Sequence, residues 1–183
     1  MTILSVDFSP FMCTGDLESV FEKTRKSIGL GDDDDGTAFE WSLKLSWAHQ
    51  ITQAVVELHA ISAYNGDLKP QNVLIDPTGQ ALLIDFLPRG ITDDFAAPEL
   101  TEMFHSHGIA FELVLSALAD IYSLGLVLWA VVEERWSGTR TPVWRDGKTP
   151  EWYRYIVKRC LVLAPEARPS ATEVLSLLER EGA

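Results

Sequence analysis

Apolar positions recur with different periods along the chain, and those periods predict its elements. Ile3, Leu4, Val6 and Phe8 form a short extended run closed by Ser9-Pro10, so one strand running into a linker is expected. From about Asp16, the positions Leu17, Val20, Phe21 and Thr24 fall at helical spacing, with Gly29 or Gly31 placed to end the helix. A longer helix is predicted over 38–60, where Leu45, Ala48, Ile51, Val55 and Leu58 form one stripe facing the core.

Two brief apolar runs, Val73-Leu74-Ile75 and Ala81-Leu82-Leu83-Ile84, flank Asp76-Pro77-Thr78-Gly79, a turn sequence, and predict a small β-hairpin. After Glu99 the pattern turns mainly helical. Residues 121–132 are almost wholly apolar but too few to span a bilayer, which predicts a helix buried on all sides. Amphipathic helices are expected over 151–163 and 170–181, the second opened by Ser170 with Glu173 three residues on as a capping box. No internal repeat is visible.

Composition narrows the picture. A chain of 183 residues suits one domain with a core that needs no metal or disulfide. Its two cysteines, Cys13 and Cys160, are read as reduced thiols. A net charge of -12 repels phosphate backbones and anionic lipid, so nucleic acid and membrane are poor partners. The first ten residues carry Asp7 and no basic stretch, unlike a signal peptide, so the expected location is cytoplasmic or nuclear. Asp32 to Asp35, closed by Gly36, reads as a solvated loop, since it has no alternating calcium ligands or terminal glutamate.

The chemistry concentrates between Asn65 and Glu99. Asn65-Gly66-Asp67-Leu68-Lys69-Pro70-Gln71-Asn72 precedes the hairpin and Asp85-Phe86-Leu87 follows it. Further on stand Ala97-Pro98-Glu99, then Asp120-Ile121-Tyr122-Ser123-Leu124-Gly125, then Arg168-Pro169-Ser170. In order and separation these five segments resemble the C-terminal lobe of the eukaryotic-type protein kinase family. The resemblance implies a mainly α fold, a kinase-like C-lobe over 15–183 with a small β-hairpin, and a remnant N-terminal strand and hinge over 1–14.

It also implies roles. Asp67 corresponds to the aspartate that orients the substrate hydroxyl, and Lys69 to the lysine near the transferred phosphate, a Ser/Thr-type feature. Asn72 and Asp85 correspond to the magnesium ligands that act with ATP. Leu74 matches the apolar residue under the adenine ring, or is ordinary hairpin core. Glu99 and Arg168 match a buried ion pair, and Asp120 a residue that hydrogen-bonds the catalytic-loop backbone. His105 and His107 have no further ligands nearby and read as exposed loop histidines. Trp129, Trp136, Trp144 and Trp152 read as packing residues.

The departures from the family pattern shape the functional expectation. The usual histidine-arginine pair is Asn65-Gly66, Leu87 replaces a glycine, and the segment from Asp85 to Glu99 is short. The 183 residues hold no glycine-rich phosphate loop, no third-strand lysine and no helical glutamate to pair with it, so half of the nucleotide clamp is expected to be missing. The expectation is a degenerate, kinase-like C-lobe acting through protein binding. The alternative is a Ser/Thr-type kinase whose upper lobe comes from a partner or a longer gene product. A protein partner or homodimer is expected on the face that an upper lobe covers, around Leu74, Phe86 and residues 3–8.

Overall fold

The computed structural model describes residues 14–31, 34, 36–85, 91–107, 115–136, 140–145 and 147–182. The strand expected at 3–8 and the residues Cys13, Phe86 and Leu87 lie outside them. Helix α1, Leu17–Ser27, starts at Asp16, whose carboxylate accepts from the Ser19 N–H (3.0 Å) and hydroxyl (2.7 Å). Burial pushes the Asp16 carboxyl up, but these hydrogen bonds together outweigh it and hold the group below its ordinary range. The predicted face is the buried one: Leu17, Val20, Phe21 and Thr24 all point inward. Gly29, at φ 77°, follows the helix in the left-handed region that an L side chain avoids.

Helix α2, Trp41–Ala60, buries Ala48, Ile51 and Val55 completely, while Leu45 and Leu58 pack at its margin. Its apolar anchor is Trp47, which meets Phe39 edge-on at 5.1 Å and donates its indole N–H to the Gly79 carbonyl (2.8 Å). That bond fastens the helix to the turn of the hairpin. The hairpin itself, β2 (Val73–Ile75) and β3 (Ala81–Leu83), is antiparallel, with Leu74 opposite Leu82. A two-residue strand β1, Gly15–Asp16, pairs with β2, so the sheet has three strands where the sequence predicts a hairpin alone.

Helix α3 is Pro98–His107 and helix α4 is Ala117–Glu133. From Ala119 to Glu133 every residue of α4 is buried, as the unbroken apolar run predicts. Gly125 lets helix α5, Glu151–Cys160, approach closely, since a Cβ there would lie 2.6 Å from that of Cys160. Burial pushes the Cys160 thiol up to about 12, which makes it an inert packing group. Helix α5 ends at Cys160 rather than reaching Leu163, and Leu163 is exposed. Helix α6, Ala171–Glu181, carries the predicted capping box between Ser170 and Glu173. The two histidines read as loop residues belong to helix α3.

One part of the interior is charged. Glu134, just past α4 at φ 53°, is buried and pairs with Lys44 (2.5 Å) and Arg25 (3.4 Å). It also accepts the backbone N–H groups of Ala38 (2.7 Å) and Phe39 (3.1 Å). Burial pulls the Lys44 ammonium below its ordinary pKa, although Glu134 acts in the opposite direction. Arg25 further donates to the carbonyls of Gly31, Asp34 and Gly36, which ties these three residues to the buried charge cluster.

Candidate active site

The catalytic-loop sequence is shaped from below. Asp120, in the first turn of α4, is only 1 % exposed and accepts the N–H groups of Asn65 and Gly66, each at 2.8 Å. The ring of His59, near the end of α2, contacts the same carboxylate at 3.0 Å. Gly66 takes φ 75°, where glycine is free of the strain that other residues meet. The Asp120 reading made from the sequence is therefore matched by geometry.

Above this hub the loop presents Asp67. One of its carboxylate oxygens accepts the Thr92 N–H (3.0 Å) and the other the Lys69 ammonium (2.6 Å). Lys69 also donates to the Thr92 hydroxyl (2.8 Å), so three residues close a small polar ring. Asn72 sits at the end of a tight turn, Pro70–Asn72, and donates its side-chain amide to the Asp67 carbonyl (2.8 Å). The Ile84 N–H bonds the Asn72 carbonyl (2.9 Å), which holds Asp85 beside Asn72 across the hairpin base.

Asp85 differs from Asp67 and Asp120. It takes φ 60°, unfavourable for a non-glycine residue, and its side chain is exposed with no partner among the described residues. Its carbonyl receives the side-chain amide of Asn65 at 3.4 Å. Asn65 is fully buried and also accepts the Asp67 N–H (3.1 Å), so it spans the two segments.

Leu74 lies on the outer face of the sheet, 36 % exposed opposite the more open Leu82, whereas Val73, Ile75, Ala81 and Leu83 point inward. The reading of Leu74 as ordinary hairpin core does not hold.

The segment ahead of Glu99 is held from several sides. Arg168 pairs bidentately with Glu99 (2.6 and 2.9 Å) and donates to the carbonyls of Leu118, Val162 and Leu163. Ser123 donates to the Phe95 carbonyl (2.8 Å), and the Phe95 ring stacks on Trp136 with centroids 3.9 Å apart. Arg140 donates to the Asp93 carbonyl and to the Thr101 hydroxyl (2.7 Å). His105 contacts Asp93 at 3.1 Å, and no group of three or more metal-binding side chains exists among the described residues.

Sequence reasoning missed Thr92 and His59 and read Asn65 only as a loss. Thr92 had one visible signal: it is the single hydroxyl-bearing residue between Asp85 and Glu99. His59 and Asn65 had none, because their roles depend on contacts across 61 and 20 positions.

Comparison with known proteins agrees with this architecture. Residues 11–177 match the protein kinase domain. A probable LIM domain-containing serine/threonine-protein kinase of Dictyostelium discoideum is 29% identical over 164 residues, which span 75% of this chain and 24% of that protein. Serine/threonine-protein kinase PknA of Mycobacterium tuberculosis is 32% identical over 141 residues, 73% of this chain and 31% of its own length. The chain thus spans a third or less of these relatives. With the match covering most of its length, the chain belongs to the eukaryotic-type serine/threonine protein kinase family.

Proposed function

We propose that these 183 residues carry the lower half of a Ser/Thr-type phosphoryl-transfer site and, by themselves, act by binding protein rather than by turnover. The observation that carries the reading is the ring of Asp67, Lys69 and Thr92, set beside an unpaired Asp85. A carboxylate held by two donors is fixed in direction, which suits it to orient a substrate hydroxyl. Lys69 is close enough to neutralise charge on a phosphoryl group arriving there.

The donor set fits magnesium. The Asn72 amide oxygen and the Asp85 carboxylate are hard oxygen ligands on adjacent segments, and magnesium takes one or two such ligands together with phosphate oxygens and water. Held there with ATP, magnesium would supply positive charge to neutralise the phosphates. Leu74 and Leu82 offer an apolar surface at the same end of the sheet, where an adenine ring would rest.

Phosphorylation of the segment is not part of this reading. Gly66 supplies no guanidinium to receive a phosphate, and Thr92, the one hydroxyl between Asp85 and Glu99, is already bonded to Lys69. The upper half of the clamp must come from elsewhere in a longer chain or from a partner, covering Leu74, Leu82 and strand β1. No helix among the described residues is long and apolar enough to cross a membrane.

Calorimetry tests the site. Titrating magnesium and ATP together should give a heat of binding that requires both and disappears in Asp85→Asn. Binding without magnesium, or binding unchanged in Asp85→Asn, would overturn the metal assignment.

A further inference from the structure

A second surface has a different chemistry. Below the start of α3, the strap 140–145 and the end of α5 enclose a groove of about 580 Å³. Its walls are apolar, with Pro98, Tyr122, Pro142, Trp144, Leu161 and Leu163 contributing. Leu163, in its wall, is 73 % exposed. A large apolar side chain left open in an apolar groove marks a contact surface better than it marks a core.

The charge on this face runs against the chain as a whole. The protein carries -12, yet both charged residues lining the groove, Arg140 and Lys158, are cationic. One more cation stands beside it, with Arg154 placed 5.4 Å from the ring centre of the groove residue Trp144. Arg140 commits Nε and Nη2 to Asp93 and Thr101, which leaves Nη1 for another acceptor. Among the described residues Lys158 is held by Glu151 alone, at 3.3 Å, an exposed pair of the kind that contributes little and exchanges readily.

We propose that this groove docks an extended acidic segment of a partner protein, one that places a large apolar side chain between Trp144, Leu161 and Leu163 and carboxylates against Arg140 and Lys158. The apolar floor needs a side chain, which a nucleic acid backbone does not supply, and the overall negative charge repels nucleic acid at longer range. A cationic rim around an apolar slot selects carboxylates next to leucine or phenylalanine. The surface is separate from the Asp67 site and does not depend on turnover there.

The probe is a fluorescein-labelled nonapeptide of alternating glutamate and phenylalanine, followed by anisotropy on the full chain. Controls are the same peptide with lysine for glutamate, a polyglutamate peptide, and a labelled single-stranded oligonucleotide. Saturable binding of the first probe alone is expected. Lys158→Glu should weaken it about tenfold or more, the scale of one charge-assisted contact replaced by a repulsion. Leu163→Asp should abolish it, and because both side chains are mostly exposed, the melting temperature of each variant should match the native chain. The proposal fails if the acidic apolar peptide does not bind up to about 1 mM. It fails equally if the lysine peptide, polyglutamate or the oligonucleotide binds as well, or if neither substitution changes affinity.

Discussion

Two aspartates at either end of the same loop system illustrate how one residue type serves opposite ends. Asp120 is buried, and its carboxylate is saturated by two backbone N–H groups and the His59 ring. Asp85 is exposed, sits at a disfavoured φ of 60°, and has no side-chain partner among the described residues. A saturated carboxylate stabilises the fold and has no capacity for a ligand. An open one, held in a strained backbone, contributes nothing to stability, and its capacity remains for a metal or nucleotide. The family pattern marks both with the same letter, and only their surroundings tell them apart.

The comparison makes graded predictions. Glu134→Ala belongs with Asp120 and should have the largest effect, since it strands Lys44 and Arg25 in the interior; a loss of about 3–5 kcal/mol in urea unfolding is expected. Asp120→Ala leaves the buried N–H groups of Asn65 and Gly66 without acceptors, and should cost about 3 kcal/mol in the same measurement.

Asp16 is intermediate, half-buried and bonded by Ser19 at the start of α1. Asp16→Ala should cost about 1 kcal/mol at neutral pH, as helix caps do. Because the folded-state pKa of Asp16 lies below the ordinary 3.8, its contribution is complete above that value and is lost as pH falls through the folded pKa. The stability gap between native chain and variant should therefore close in acid. A gap that stays constant from neutral pH down to about 2 would show that the carboxylate charge is not involved.

Asp85→Gly should have the smallest effect and the opposite sign, a gain of up to about 1 kcal/mol from relief of the left-handed conformation. A loss comparable to that of Asp120→Ala would collapse the distinction between the two aspartates.

Periodicity revealed the elements that bury an apolar face or run, such as α1, α4 and the hairpin, because burial imposes the period. Strand β1 was not visible, since Gly15-Asp16 has no alternation and pairs only because the hairpin is there to receive it. The charged interior was hidden for a different reason. Arg25, Lys44 and Glu134 occur where surface residues are expected, and only the three-dimensional contact between distant segments makes them internal. Within the site, Asp67, Lys69, Asn72 and Asp85 were singled out through the family resemblance of the short segments that carry them. Thr92 was not, because its pairing with Asp67 joins positions 25 apart through a segment with no regular structure.

Transfer of labelled phosphate tests the central claim most directly. The 183-residue chain, Asp67→Asn and Asp85→Asn would each be incubated with magnesium, radiolabelled ATP and a generic protein substrate. A lower half that lacks the phosphate-cradling loop and its lysine forgoes several stabilising contacts, each worth a factor of about 100 to 1,000, so all three proteins should incorporate label at the same background rate. Clear turnover by the native chain, abolished in both variants, would contradict the account and establish these residues as a self-sufficient kinase.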